Sequence, residues 1–254
     1  MRRVLCALLV VPLLLPVAAS AQIREKLMLR GKAQTLQLYG RRDGDPAIVS
    51  SGDGGWIHLA PQVAEMLAAR GFFVVGFDSK AYLESFTSGA TALTTGDVPA
   101  DYRTLAQFAS TTSSKKPILI GVSEGAALSL LAATEPETKA MVSGVIGLGL
   151  GDLNELGWRW RDSLIYVTHG IPNEPRFSTV AVAGRVTPTP LAVINSMHDE
   201  FVPAGEADRV MAAAQQPKRL WMIEAADHRF SDKLAELAMR LVEAIDWVRT
   251  SGPK

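Results

Sequence analysis

Nearly continuous apolar runs of strand length alternate along the chain with stretches whose apolar residues recur every three or four positions. The runs are PAIVSS (46–51), FFVVGFD (72–78), PILIGV (117–122), SGVIGLGL (143–150), PLAVINS (190–196) and KRLWMIE (218–224). Strands buried on both faces, as in a parallel sheet covered by helices, have this unbroken character. Between them, Leu59, Val63, Met66 and Leu67 fall at helical spacing, with Gly71 closing that helix. Tyr102, Leu105, Ala106 and Ala109 predict a second helix, residues 126–133 a third and 210–214 part of a fourth. Leu234, Leu237, Leu241, Val242 and Ile245 stripe a long last one. Residues 27–39 alternate apolar with polar instead, which predicts an antiparallel edge hairpin or strand. The order of elements predicts an α/β fold: a doubly wound, mostly parallel sheet with helices on both faces.

Two segments break the rhythm. Residues 84–98 are rich in Ser, Thr and Gly and read as a surface loop. Residues 151–189 are a longer excursion, placed where a lid-like insertion would sit; the sheet can close without them. The N-terminus is different again. Arg2 and Arg3 precede an apolar stretch broken by Pro12 and Pro16, and Ala19-Ser20-Ala21 follows. This is the pattern of a cleavable signal peptide over 1–21, with 22–254 as a single mature domain, soluble and periplasmic or secreted. The alternative is a retained anchor, for which the run is short and twice interrupted by proline. Cys6, the one cysteine, lies inside this segment, so the mature chain has no disulfide, thiolate metal site or cysteine nucleophile. The 26 basic and 26 acidic residues balance, against an electrostatic nucleic-acid binder.

The candidate chemistry centres on Gly121-Val122-Ser123-Glu124-Gly125, G-x-S-x-G between a strand and a helix. That is the setting of a nucleophile elbow: bulk at either glycine would strike neighbouring backbone, and the serine hydroxyl stands exposed above the sheet. The plainer alternative is a serine N-cap on a βα turn. A serine nucleophile needs a base oriented by a carboxylate, in the chain order Ser, acid, His. Asp199 follows PLAVINS and His228 follows KRLWMIE, each just beyond a strand's carboxyl end, where open α/β sheets bind ligands. Glu200 is the rival acid, expected to be solvated, and Asp152 a weaker one. Asp227 is expected to be exposed, and Asp78 to stabilise a turn. His58 opens a helix as a cap or as a wall of the cleft; His198 and His169 are expected to be bystanders. Oxyanion donors would be the backbone N–H groups of Glu124 and of Asp53, with Gly54 second, in the loop SGDGGW. A phosphate-cradling loop there lacks both the Lys-Ser/Thr and the G-x-G-x-x-G spacing. Neither a metal nor an organic cofactor is implied.

The residues SGDGGW after a strand, the helix ending in ARGFFVVGFDS, a tyrosine-containing loop and G-x-S-x-G together resemble the VirJ/AcvB family of bacterial virulence-associated exported proteins, over about residues 47–125. The resemblance implies an α/β-hydrolase fold. It also implies an exported serine hydrolase cleaving an ester, with hydrolysis of lysyl-phosphatidylglycerol as one activity associated with the family. Asp199 and His228 stand where the family's acid and base would. The family usually has a tyrosine before the serine and an aromatic after it; here these are Val122 and Glu124. Glu124 would favour a cationic group near the scissile ester, or else sit solvated in a helix's first turn, where its charge suits the dipole. In GWRWRD (157–162) the tryptophans and arginines suit an anionic lipid surface, or else Trp packs inward and Arg faces solvent. The expected partner is therefore a small-molecule or lipid ester, with peripheral contact to a membrane surface and no nucleic acid. A non-catalytic exported binding protein on the same fold, and a general carboxylesterase or peptidase, are the alternatives.

Overall fold

The computed structural model describes residues 23–164, 174–203 and 205–252. The expected signal peptide, 1–21, and His169 lie outside the described residues. β1 (Ile23–Leu29) and β2 (Lys32–Tyr39) form an antiparallel hairpin through Arg30-Gly31, as the alternation over 27–39 predicts. β2 pairs antiparallel with β4 (Phe72–Phe77). From there the sheet is parallel, through β3 (Asp45–Ser50), β5 (Ile118–Val122), β6 (Gly144–Leu148), β9 (Leu191–Ser196) and β10 (Lys218–Ile223). The six apolar runs are thus the six parallel strands.

Their unbroken hydrophobicity has a direct cause. Successive side chains in a strand point to opposite faces, and both faces are covered. Val49, Ile120, Ile146 and Ile194 pack with α1 (Leu59–Ala68) and α8 (Leu234–Ser251) in one core. Ile48, Leu119, Val145 and Val193 pack on the other face with α3 (Asp97–Ala109), α4 (Glu124–Ala132) and α7 (Glu206–Ala213). The chain leaves β3 toward β4 on one side and returns to place β5 on the other. The carboxyl ends of β3 and β5 therefore flank the switch in winding direction, where such sheets open a crevice.

Two short helices depart from the expectation. α2 (Ser79–Phe86) occupies the start of the stretch read as loop; it is capped by Asp78, whose Oδ1 accepts from the Ala81 N–H at 3.0 Å, and it buries Tyr82 and Leu83. Eight residues with two apolar contacts leave little periodic signal, and the cap is what starts the helix. α5 (Pro136–Met141) is shorter still. The described residues of the 151–189 excursion lie outside the main sheet. It carries a separate antiparallel ribbon, β7 (Leu153–Glu155) with β8 (Arg176–Ser178), followed by the single turn α6 (Thr179–Val182). Among the described residues no helix is long and apolar enough to cross a membrane.

One buried polar cluster ties the hairpin to the layered core. The Arg30 Nη2 donates to Asp101 Oδ2 at 2.7 Å, and the Tyr82 hydroxyl donates to the same oxygen at 2.6 Å. The guanidinium also lies 4.0 Å from the centroid of the Phe86 ring. Removing the carboxylate leaves a buried phenol without its acceptor and a half-covered cation with Asp97 alone. Asp101→Ala is expected to lower the unfolding free energy by about 2–3 kcal/mol, read from urea denaturation.

Candidate active site

Ser123 sits between β5 and α4 with φ 52° and ψ −120°, a conformation that costs a non-glycine residue about 1–3 kcal/mol. Its surroundings hold it there. The Ser123 N–H donates to the Leu148 carbonyl on β6 at 2.8 Å, and the Ser123 carbonyl accepts from the Ala126 N–H at 2.8 Å. A Cβ on Gly121 would lie 2.2 Å from the Gly125 carbonyl oxygen, and one on Gly125 would lie 2.3 Å from that of Ser51. Both glycines are thus demanded by backbone packed against backbone, which an ordinary serine N-cap would not require. Ser123 makes no side-chain cap bond to its helix.

Asp199 and His228 come together beyond the ends of β9 and β10. His228 Nδ1 and Asp199 Oδ2 are 2.5 Å apart, with both side chains at most 9% exposed. The other carboxylate oxygen of Asp199 accepts from the N–H groups of Phe201 and Val202, at 2.9 and 2.8 Å, so the acid is fixed before the histidine reaches it. Glu200 is exposed, as expected of a bystander, yet it steadies the histidine loop, because its Oε2 accepts from the His228 backbone N–H at 2.8 Å. On the other side, buried Phe230 anchors that loop, and Phe201 meets the imidazole edge-on. The imidazole Nε2 is buried and has no hydrogen-bond partner among the described residues. Ser123 and His228 border one cavity of about 330 Å³ without a hydrogen bond between them.

Gly149 is a contributor that the sequence reading missed. It follows β6 with φ 66°, and a Cβ there would lie 2.6 Å from the imidazole Cε1. A glycine at a strand's carboxyl end is the signal, but it is ordinary turn punctuation until the histidine is seen above it.

The loop after β3 forms the facing wall, with Gly52, Asp53 and Gly54 lining the cavity. The N–H groups of Asp53, Gly54 and Glu124 find no acceptor among the described residues. The loop is held from below by Trp56. Its indole Nε1 donates to the Tyr39 hydroxyl at 3.1 Å, its backbone N–H donates to Asp78 Oδ2 at 3.2 Å, and its ring occupies the space a side chain at Gly76 would fill. Asp78 thus serves the turn, as expected, and the loop after β3 with it. His58 lines the cavity and makes no cap bond. Asp152 pins the ribbon, accepting from the Ser178 hydroxyl at 2.6 Å and the Val180 N–H at 3.1 Å. Asp227 is half-buried rather than exposed, accepting from the N–H groups of Arg229 and Ser231. His198 is exposed.

The family model of the bacterial virulence protein VirJ matches residues 45–165, which span the loop after β3, the elbow and the first part of the excursion. Among solved structures, the chain is similar to the α/β hydrolase GrgF from Penicillium (TM-score 0.68, 13% identity, 91% of this chain and 99% of that one). It is also similar to an esterase domain from a Rhodothermus marinus protein (0.60, 20%, 90% and 98%). A membrane phospholipase A described as a bacterial virulence factor is similar too (0.61, 12%, 90% and 87%). The chain has a VirJ-like α/β-hydrolase fold. Among curated proteins, none matches it in sequence.

Glu124 is where this VirJ-like chain corrects the expectation of a solvated helix-start carboxylate. It is 5% exposed, and its Oε1 has no partner among the described residues. Burial is the main reason that its carboxyl is held well above the usual range; the neighbouring carboxyl of Glu155 and the charge of Asp53 push the same way. Glu155, on β7, is raised as well, again chiefly by burial. The macrodipole benefit of an acid at a helix start is small beside desolvation of this kind.

Two outcomes follow from this geometry. Gly125→Ala drives a methyl into the Ser51 carbonyl and is expected to cost about 3 kcal/mol or more of stability in urea unfolding. Glu124, with its folded pKa above its unfolded one, binds its proton more tightly in the native state. Its stabilising contribution is therefore present below the usual glutamate range and is lost as pH rises through the raised pKa. Melting curves of wild type and Glu124→Gln should show the glutamine variant gaining stability relative to wild type as pH rises from acid to neutral.

Proposed function

We propose that the protein is a serine hydrolase that cleaves a carboxylic ester through a covalent acyl-enzyme. One observation carries this reading: a histidine held by a buried aspartate, its Nε2 unpaired among the described residues, borders the same cavity as a serine in a strained elbow. A purely structural histidine would satisfy both ring nitrogens. In the proposed reaction the Ser123 hydroxyl swings toward His228, gives its proton to Nε2 and attacks the ester carbonyl carbon. The C–O bond to the alcohol then breaks as Nε2 returns the proton to the departing alkoxide. Water repeats the sequence on the acyl-enzyme and releases the acid and free Ser123. Asp199 keeps the Nδ1 proton in place and stabilises the imidazolium between the two transfers. The N–H groups of Glu124 and of Asp53 or Gly54 receive the oxyanion.

The substrate we favour is an aminoacyl ester of a phospholipid such as lysyl-phosphatidylglycerol, met outside the cytoplasm after export through residues 1–21. The VirJ match supports it, as does the amphiphilic mouth of the cavity. Exposed Ile57 and Phe201 flank it together with Arg229 and Lys80, a mixture suited to lipid tails beside an anionic head group. The tryptophans of GWRWRD divide: Trp158 is buried, whereas Trp160 is 76% exposed and available to a membrane surface.

Ser123→Ala is expected to lower kcat by about 10³-fold or more while leaving the fold intact, measured on a panel of simple esters, peptides and aminoacyl lipids. Labelling by a fluorophosphonate should be confined to Ser123. A folded wild-type protein that takes no label would refute the hydrolase reading. Activity restricted to short water-soluble esters would remove the lipid from it.

A further inference from the structure

Ser51 is a fully buried serine, the first residue past β3 and two before Asp53. Its backbone N–H extends the ladder to β4, donating to the Phe77 carbonyl at 2.9 Å. Its hydroxyl oxygen accepts from the Ser79 N–H at 3.1 Å, one of the first-turn amides that α2 cannot bond within itself. A serine hydroxyl has one hydrogen to give, and here it goes to the Gly52 carbonyl, 3.2 Å away. The bonds thus run in sequence, from the Ser79 N–H to the Ser51 hydroxyl and from that hydroxyl to the Gly52 oxygen.

The Gly52 carbonyl has a second donor. The Gly55 N–H reaches it at 3.0 Å and closes a turn with Asp53 and Gly54 at its two central positions. A peptide group is planar and trans, so the Gly52 carbonyl and the Asp53 N–H are opposite ends of one rigid plate. Two donors on the carbonyl turn the Asp53 N–H the other way, out of the turn. That N–H has no acceptor among the described residues. Gly52 itself lies against the candidate nucleophile: a Cβ on it would be 3.2 Å from the Ser123 Cβ and 3.9 Å from the Ser123 Oγ. The next peptide, Asp53–Gly54, has no such clamp, because no backbone donor among the described residues meets the Asp53 carbonyl. With glycine at 52, 54 and 55, side chains offer little resistance to rotation of these plates, and hydrogen bonds must set their direction.

We infer that Ser51 is a positioning residue: its hydroxyl holds the Gly52–Asp53 peptide so that the Asp53 N–H, rather than that of Gly54, joins the Glu124 N–H in receiving the oxyanion. The inference rests on the serine-hydrolase reading and names what orients its second donor. It also gives the start of α2 a task. The Ser79 N–H occupies the Ser51 oxygen and leaves the hydroxyl hydrogen for Gly52, while Asp78 accepts from the Trp56 N–H at 3.2 Å. One helix start thereby grips the loop on both sides of its turn.

The test is kinetic and structural. With p-nitrophenyl acetate as substrate, Ser51→Ala should lower kcat by about ten- to a hundredfold. KM should stay within about twofold of wild type, because the contact is made only in the transition state. A loosened fold without loss of the oxyanion donor would not divide the two constants in this way. An unchanged kcat, or a loss confined to KM, overturns the assignment of Ser51. Hydrolysis that persists in Ser123→Ala overturns the hydrolase reading instead. A crystal structure of the wild-type protein then decides the peptide with neither substrate nor variant. The Gly52 oxygen should lie within hydrogen-bond distance of both the Ser51 hydroxyl and the Gly55 N–H. A Gly52 carbonyl turned into the cavity would overturn the inference, even were Ser51→Ala not to fold.

Discussion

The site depends on how closely two backbone segments approach where β5 becomes α4. The Gly125 Cα lies against the Ser50-Ser51 backbone, and Gly121 lies against the amide of Ala126. That contact forces the chain through the unfavourable φ of Ser123 and lifts the hydroxyl clear of the sheet. It also aims the first amides of α4 into the crevice beside the loop after β3. The imidazole and its aspartate are assembled separately, on loops after β9 and β10, and meet the serine only because the parallel sheet delivers all its carboxyl ends to one rim. A loosened elbow would leave the Asp199–His228 pair whole but facing nothing.

Polar groups around this rim are treated in two ways. Asp199 and the backbone of His228 are fully satisfied, by Phe201, Val202 and Glu200, and are therefore rigid. His228 Nε2 and Glu124 Oε1 are left without partners among the described residues. The satisfied groups are those that position; the unsatisfied ones border the reacting centre or stand next to it in sequence. Leaving buried polar atoms unpaired costs stability, and the two large cores on either face of the sheet supply the margin.

Most of this architecture is legible in the residues alone. Strands buried on both faces advertise themselves by unbroken apolar runs, and all six parallel strands fall within a residue or two of those runs. The glycines around Ser123, and the places of Asp199 and His228 after successive strands, are enough to bring the three residues to one rim. What escapes a local reading has a weak local signature. α2 is two turns long and owes its start to one cap. Gly149 serves a residue nearly eighty positions away. Glu124 reads as a solvated helix-start acid because its partner Glu155 sits on a three-residue strand with no periodicity to predict it. Side-chain burial at such a position is set by what folds over it, which local pattern cannot report.

The ribbon of β7 and β8 stands outside the main sheet, whose strands pass from β6 to β9 without it. The parts that would move protons and hold the oxyanion all spring from the sheet, whereas Glu155 arrives on the ribbon. Any reshaping of that ribbon therefore leaves the register of the strands behind Ser123, Asp199 and His228 as it is.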